Sequence, residues 1–153
     1  WPMFEPHHYL KLPRMVAAKY YVGFVDGEAV CHMATSPRLE IGGIRACRMV
    51  VMPEWQGAGV GMKFLNEVCR LQFTAANQYH ERTKAVYFHT SHPGLCAALR
   101  RDKRWVQVSQ MMGGSHKGES TGRIRKAGSV VGTGYGGHHR AVQGFKMQRA
   151  LAV

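Results

Sequence analysis

The sequence predicts an α/β domain built on a mixed β-sheet, in which part of the sheet is antiparallel and a helix connects two parallel strands. An Asp26-Gly27 turn separates two strand-like segments, residues 18–25 and 28–35, which indicates a β-hairpin. Two further apolar segments, residues 44–52 and 85–91, flank a helical pattern. A strand–helix–strand order is typical of a crossover between parallel strands.

The remaining elements follow in order along the chain. FEPHHYL favours no more than a helical turn, SPRLEIGG reads as a loop, and Pro53 ends the third strand. Apolar residues at helical spacing predict a helix from Met62 to about Ala76. AVYFHTS has the apolar pattern of a strand covered on both faces. GLCAALRRD predicts a second helix, WVQVSQ alternates like a strand, and HRAVQGFKMQ predicts a final strand that returns to the sheet.

Length and composition favour a single globular unit. The chain has 153 residues, and its 45% hydrophobic content is sufficient for a core. We find neither a long apolar run nor a signal-peptide pattern, so we expect a cytoplasmic protein without a membrane partner. The four cysteines form no C-x-x-C pair, which argues against a metal site or a disulfide framework and favours reduced core residues.

Positive charge is concentrated at the C-terminal end. The formal net charge is +12, of which residues 1–98 contribute +3 and residues 99–153 contribute +9. A field of this kind attracts polyanions such as nucleic acid, although a solvated basic tail is the simpler alternative. Residues 113–153 are also rich in glycine, so we expect a core over 1–112, followed by a long loop and a last strand of the same domain.

Gly57, Gly59 and Gly61 lie between the third strand and the first helix. Closely spaced glycines at a helix start leave several backbone N–H groups unpaired and accessible. Together with the helix dipole these amides form a site for phosphate oxygens. Neither the G-x-x-x-x-G-K-[ST] phosphate loop nor the G-x-G-x-x-G dinucleotide fingerprint fits the glycine spacing, so both of those nucleotide sites are excluded.

Gln56-x-x-Gly59-x-Gly61, following Val50-Val51-Met52-Pro53, resembles the loop of the GNAT acyltransferase superfamily. The resemblance covers roughly residues 15–110 and implies a GNAT fold, with helices flanking a mostly antiparallel sheet whose central parallel strands splay to form an acyl-CoA cleft. It also implies acetyl-CoA as the cofactor. The pantetheine arm would pair with the strand, and the pyrophosphate would be bound by the loop. The cofactor-binding residues are then Val50, Val51, Met52, Gln56, Gly57, Ala58, Gly59, Val60, Gly61 and Met62.

A narrower resemblance extends to PHHYL, RMVVMPEWQGAGVG and TSHPGL, which look like the GNAT domains found in phage genomes and in fusions to ABC-type ATPases. That setting suggests an acceptor amine on a modified nucleobase. The family's first strand and helix would precede Trp1, so we expect either a trimmed chain or a differently built sheet edge.

Acyl transfer to an amine requires a neutral amine, a polarised carbonyl and a proton for the leaving thiolate. Ser91 and His92 end the strand expected to diverge from residues 48–52, which makes them the first candidates. His8 and Tyr9 are the second, because in GNAT folds this segment commonly lines the acceptor site; a capping or packing role is the alternative. Many GNAT enzymes use a tyrosine on the next helix, but GLCAALRRDKRW contains none.

Candidate substrate-binding residues are His32, Arg48, Arg123, Arg125 and Tyr135. His32 is expected to reach the cleft or to be structural. Arg45 and Arg48 are expected to bind a substrate phosphate or carboxylate, or else to pair with Glu40 or Glu54 on the surface. In the tail, arginines and a tyrosine among glycines suit backbone contacts and base stacking, or alternatively a lid over the cofactor.

The sequence thus favours an acetyl-CoA-dependent N-acyltransferase whose acceptor amine is carried on nucleic acid or a nucleotide, and a homodimer is possible. One alternative is an acetyltransferase of a small-molecule amine. Another is a non-catalytic GNAT-like module that binds CoA and nucleic acid.

Overall fold

A computed structural model of the protein describes residues 1–8, 15, 17–38, 41–112 and 141–152. Its six strands form one mixed sheet in the order β1-β2-β3-β4-β6-β5. The strands are β1 (Lys19–Val25), β2 (Glu28–Arg38), β3 (Gly43–Val51), β4 (Ala85–Thr90), β5 (Trp105–Met112) and β6 (Ala141–Gln148). The helices are α1 (Val60–Leu71) and α2 (Pro93–Arg101), with short 3-10 turns at Glu5–His7, Pro53–Trp55 and Arg149–Leu151. No helix in the described residues is long and apolar enough to cross a membrane.

The predicted fold class is confirmed at both of its defining connections. Strands β1 and β2 are antiparallel and are joined by Asp26 and Gly27, whose φ angles of +48° and +84° suit the tight turn of a hairpin. Strands β3 and β4 are parallel and are connected through α1. Strand β6 lies between β4 and β5 and is antiparallel to both.

Helix α1 differs from its predicted limits at both ends. It begins at Val60 and ends at Leu71, earlier than the expected end near Ala76. After Leu71 the backbone N–H groups of Gln72 and Phe73 donate to the carbonyls three residues back, at 3.2 Å and 3.0 Å, so the chain leaves the α-helix in a tighter turn. The buried Gln72 side chain is held in this turn, where its Nε2 donates to the Val68 carbonyl at 2.8 Å and to the Tyr21 hydroxyl at 3.0 Å.

Both helices pack on one face of the sheet. Apolar residues of α1 and α2 join residues of five strands in a single core, which includes Leu65, Leu99, Phe88, Phe145 and Met147. The alternating residues of β4 show the asymmetry. Val86 and Phe88 are buried towards the helices, whereas Tyr87 and His89, on the other face, remain partly exposed. The prediction that this strand is covered on both faces is therefore wrong for the second face.

Strands β3 and β4 separate after a short paired region. Gly43–Ala46 pairs with Ala85–Phe88, but β3 continues to Val51 and β4 to Thr90 without pairing to each other. The sheet therefore contains a fork at its centre, bounded by the second half of β3 and the end of β4. This fork lies directly before the loop that leads into α1.

All four cysteines are free thiols, as expected. Cys31, Cys69 and Cys96 are buried and Cys47 is partly exposed. Burial raises the pKa of each thiol, so the thiolate is disfavoured at neutral pH.

Candidate active site

The loop before α1 presents a row of unbonded backbone amides. None of the six N–H groups from Gly57 to Met62 donates a hydrogen bond to another described residue, and the first helical bond of α1 runs from the Lys63 N–H to the Gly59 carbonyl at 3.2 Å. These groups lie at the positive end of the helix dipole. The arrangement fits a bound anion.

Gly57 and Gly59 are required by the backbone of this loop. Their φ angles are +83° and +78°, a region that side-chain-bearing residues rarely adopt, and a Cβ on either residue would meet no atom of the chain within 4 Å. The space beside these amides is therefore open. The first turn of α1 contains no acidic residue, and Lys63 on the same helix is exposed.

Gly61 has a different role from the other two glycines. A Cβ there would lie 2.9 Å from Met49 Cε and 3.2 Å from Val51 Cγ2. The missing side chain thus allows α1 to approach β3 closely. The third glycine of the motif serves packing, while its N–H remains unbonded like those of its neighbours.

Of the three strand residues predicted to bind the cofactor, only Val51 directs its backbone into the fork. The Met52 N–H donates to the Val30 carbonyl at 2.9 Å, so Cys31 and Val51 form a non-hydrogen-bonded pair of the antiparallel ladder. The N–H and C=O of Val51 therefore point away from β2. Val50, the next residue of the ladder, points towards β2, and the Met52 carbonyl accepts from the Trp55 N–H.

Gln56 donates two hydrogen bonds to neighbouring backbone carbonyls. Its Nε2 donates to the Val51 carbonyl at 2.9 Å, and its backbone N–H donates to the Pro53 carbonyl at 3.2 Å. The backbone N–H and one of the two side-chain N–H groups of Gln56 thus have acceptors, and the second Nε2–H is the group with which Gln56 would contact the pyrophosphate. Gln56 also ties the loop to the end of β3, and the free amides begin at Gly57.

A bulge in β3 lies beside the fork. Arg48 has a φ of +53°, and the register between β2 and β3 shifts at this point, so that the ladder passes from Cys47 to Val50. The Arg48 carbonyl lies 3.2 Å from Nδ1 of His32 on β2. Because C=O and N–H point in opposite directions across a trans peptide, the Met49 N–H is directed away from the His32 ring.

His32 is enclosed by aromatic rings instead of reaching substrate. Its side chain is 0% exposed, and its ring centroid lies 5.1 Å from that of Trp1, 5.3 Å from Phe4 and 5.7 Å from Tyr20. Burial is the main cause that lowers its pKa, so the ring is neutral at neutral pH. Since a carbonyl only accepts, Nδ1 carries the proton, and the buried Nε2 has no partner in the described chain. Direct substrate binding by His32 is thus not supported.

Of the other predicted residues, His8 and Arg48 lie with His32 around the Trp1 ring, whereas Ser91 and His92 lie after β4. His8 is buried against Trp1, and the Arg48 guanidinium lies over the Trp1 ring at 5.6 Å. Ser91 directly follows β4, and His92 is the N-cap of α2, where its Nδ1 accepts from the Leu95 N–H at 3.2 Å. The predicted residues Tyr9, Arg123, Arg125 and Tyr135 lie outside the described residues.

His89 is a residue that the sequence reasoning missed. It is the first residue of β4 beyond the paired region and lies on the face opposite α1 and α2, where Nδ1 is buried and has no partner among the described residues. Burial, followed by the charges of Arg45 and Arg38, lowers its pKa. The alternation of AVYFHTS places His89 opposite the core face, which is the signal that was available in the sequence.

Known structures share this architecture. No protein-family model and no curated protein sequence matches the chain. A mutant of the spermidine N-acetyltransferase of Vibrio cholerae aligns at a TM-score of 0.61 and 13% identity, over 90% of this chain and 69% of that one. A GNAT family acetyltransferase from Elizabethkingia anophelis with acetyl-CoA bound aligns at a TM-score of 0.55 and 13% identity, over 86% and 76%. The chain therefore has the fold of the GNAT acetyltransferases.

Proposed function

We propose that the protein is an acetyl-CoA-dependent N-acetyltransferase that transfers the acetyl group directly to an amine in a ternary complex. The observation that carries this proposal is the row of unbonded amides from Gly57 to Met62 beside the fork between β3 and β4. A diphosphate and an extended thioester arm require this combination of a polar cradle and an adjacent slot. The acetyl-CoA complex of the E. anophelis protein, which shares the fold, supports the choice of cofactor.

The residues present fit acetyl-CoA, which supplies an activated thioester acyl group when bound. The amides of residues 57–62 hold the diphosphate, and the open space at Gly57 and Gly59 admits its oxygens close to the backbone. Val51 offers its N–H to an amide of the pantetheine arm, as an edge strand does to a neighbour. Gln56 fixes the Val51 carbonyl and thereby the corner between strand and loop.

His32 and the bulge at Arg48 position one further hydrogen-bond donor, the Met49 N–H. His32 fixes the Arg48 carbonyl, and we infer that the same peptide unit presents the Met49 N–H to the thioester carbonyl bound in the fork. A fixed backbone N–H stabilises negative charge that develops on a carbonyl oxygen during acyl transfer. In this proposal His32 is a positioning residue, because it acts through the Arg48–Met49 peptide and does not touch substrate.

The proton transfers are assigned less specifically. Helix α2 contains no tyrosine. Ser91, His92, His8 and Tyr9 remain candidates, and the capping bond at Nδ1 leaves only Nε2 of His92 to exchange a proton. Nucleophilic attack requires the free amine, so a neutral imidazole near the fork suits the role of base.

Two classes of acceptor are consistent with the site. The phage-like motifs and the C-terminal charge favour an amine carried on nucleic acid, bound by a monomer or a homodimer of this chain. The fold shared with spermidine N-acetyltransferase favours a small-molecule amine. A non-catalytic module that binds CoA and nucleic acid is the remaining alternative.

The proposal is tested by thiol release from acetyl-CoA with a panel of primary amines and amine-bearing oligonucleotides. We expect release that depends on the amine and an acetylated product of the corresponding mass. A nucleic-acid acceptor also requires oligonucleotide binding that weakens steeply with salt. Tight CoA binding without release for any acceptor would support the non-catalytic alternative.

A further inference from the structure

We propose that the acceptor carries a phosphate or carboxylate a few bonds from its amine. Arg45 and Lys146 bind this anion on the sheet face opposite α1 and α2, while the amine lies at His89. This inference rests on the proposed function and adds the chemical class of the acceptor. It is carried by the placement of two cations and one unpartnered ring nitrogen beside the fork.

Arg45 and Lys146 flank Tyr87 in one row across the centre of the sheet. Arg45 on β3 pairs with Tyr87 on β4, and Tyr87 pairs with Lys146 on β6. Paired residues direct their side chains to the same face, and strands lie about 4.8 Å apart, so the two cationic residues stand about 10 Å apart at the backbone. Their long side chains span this distance over Tyr87. A single anion placed there meets both.

These two charges have no acidic counterpart in the described chain. Its two ion pairs, Arg70–Glu67 and Arg104–Asp102, lie on α1 and in the turn after α2. The sequence predicts Glu54 and Glu40 as alternative surface partners of Arg45. Neither Arg45 nor Lys146 forms an ion pair with Glu54, and Glu40 lies outside the described residues. Arg38, at the end of β2, adds a third positive charge that reaches His89 electrostatically.

His89 provides the place for the amine. A Cβ at Gly144 on β6 would meet Ser109 Oγ first and would lie 3.0 Å from Cδ2 and Nε2 of His89, so the glycine makes room both for Ser109 and for this edge of the ring. The Nδ1 edge then faces the side of β3, and Nδ1 is buried without a donor or acceptor in the described chain. A buried polar atom of this kind is normally paired. In this proposal an amine N–H donates to Nδ1, the neutral imidazole takes up the proton that the attacking nitrogen loses, and the imidazolium returns it to the departing thiolate.

The spacing sets the length of the acceptor. His89 follows Tyr87 by two residues on the same face, a separation of about 7 Å along the strand. An amine at His89 and a charged oxygen above Tyr87 are therefore linked by about five bonds, as the nitrogen and the terminal oxygens of 2-aminoethyl phosphate are. A polyamine is disfavoured, because its further ammonium groups would lie against Arg45 and Lys146.

The test compares matched acceptors by thiol release from acetyl-CoA at one ionic strength. The amines are ethanolamine, 2-aminoethyl phosphate, spermidine and a single-stranded oligonucleotide with an aminoalkyl uracil. We expect kcat/KM for 2-aminoethyl phosphate to exceed that for ethanolamine at least tenfold. Arg45→Gln and Lys146→Gln should each remove most of this ratio through KM, while exposed Lys103→Gln leaves it unchanged. Preference for the oligonucleotide over 2-aminoethyl phosphate would identify nucleic acid as the source of the anion.

Other outcomes overturn the inference. Equal kcat/KM for ethanolamine and 2-aminoethyl phosphate, a preference for spermidine, or a ratio unaffected by both substitutions contradicts the anion site while the transferase function stands. Calorimetric titration of the CoA complex with 2-aminoethyl phosphate gives a readout without turnover, and no binding to the wild-type protein also contradicts it. Absence of thiol release with every amine, together with absence of CoA binding, refutes the proposed function itself.

Discussion

Replacement of Gly59 by alanine tests the amide cradle most directly. Gly59 has a φ of +78°, and a Cβ there meets no atom of the chain within 4 Å, so folding is affected only through the backbone conformation. A side-chain-bearing residue in the left-handed region costs about 1–2 kcal/mol. The new Cβ, however, occupies the space beside the free amides. Loss of one hydrogen bond to a charged group, about 1.5–3 kcal/mol, corresponds to roughly 10- to 150-fold weaker CoA binding.

Gly27→Ala is the matched control for this experiment. Gly27 has a φ of +84° and is equally open, but it lies in the hairpin turn between β1 and β2. Urea unfolding should show a similar loss of stability in both variants, whereas calorimetric titration with CoA should show weaker binding only for Gly59→Ala. CoA affinity of Gly59→Ala within twofold of the wild type would refute the cradle, and an equal loss in Gly27→Ala would assign the effect to stability.

Three further predictions concern other parts of the molecule. His32→Phe should lower kcat about tenfold with little change in the CoA dissociation constant, and His32→Asn, which retains a donor for the Arg48 carbonyl, should recover part of the rate; an unchanged kcat contradicts the positioning role. Asn66→Ala leaves the buried Trp105 Nε1–H without its acceptor at 2.7 Å and should reduce the free energy of unfolding by about 1–3 kcal/mol in urea titrations. The pKa of Asp102 is lowered, chiefly by its hydrogen bond from Arg104, so its stabilising contribution is present above the ordinary carboxyl pKa and is lost as pH falls through the folded value. Asp102→Asn should flatten the acid side of the stability profile, and an identical profile would contradict this assignment.

The local signals in the sequence were sufficient for the turn and the loop. Asp-Gly defines its turn through backbone conformation alone, and the glycines before α1 define free amides whatever the rest of the fold does. The end of α1 was not predictable in the same way. The turn that follows it includes a contact of Gln72 with the Tyr21 hydroxyl, between residues far apart in the chain.

Side-chain roles at the site depended on register, which the sequence does not specify. His32 lies opposite a bulge at Arg48. Because of this bulge the His32 ring contacts the Arg48 carbonyl and does not reach the cleft. His89 was missed because its space is created by Gly144, which is brought alongside it only when β6 pairs with β4. The identity of backbone donors was therefore easier to predict than the function of any histidine.

The position of β6 has a consequence for biosynthesis. Ala141–Gln148 is the last of the six strands to leave the ribosome, yet it occupies an interior place between β4 and β5. Until it emerges, β4 and β5 each lack the strand that β6 provides, and β5 has no other partner among the described strands. Completion of the sheet, and with it the niche around His89, therefore waits for β6, which leaves the nascent chain dependent on its hairpin and the β3–α1–β4 unit while the segment before β6 is made.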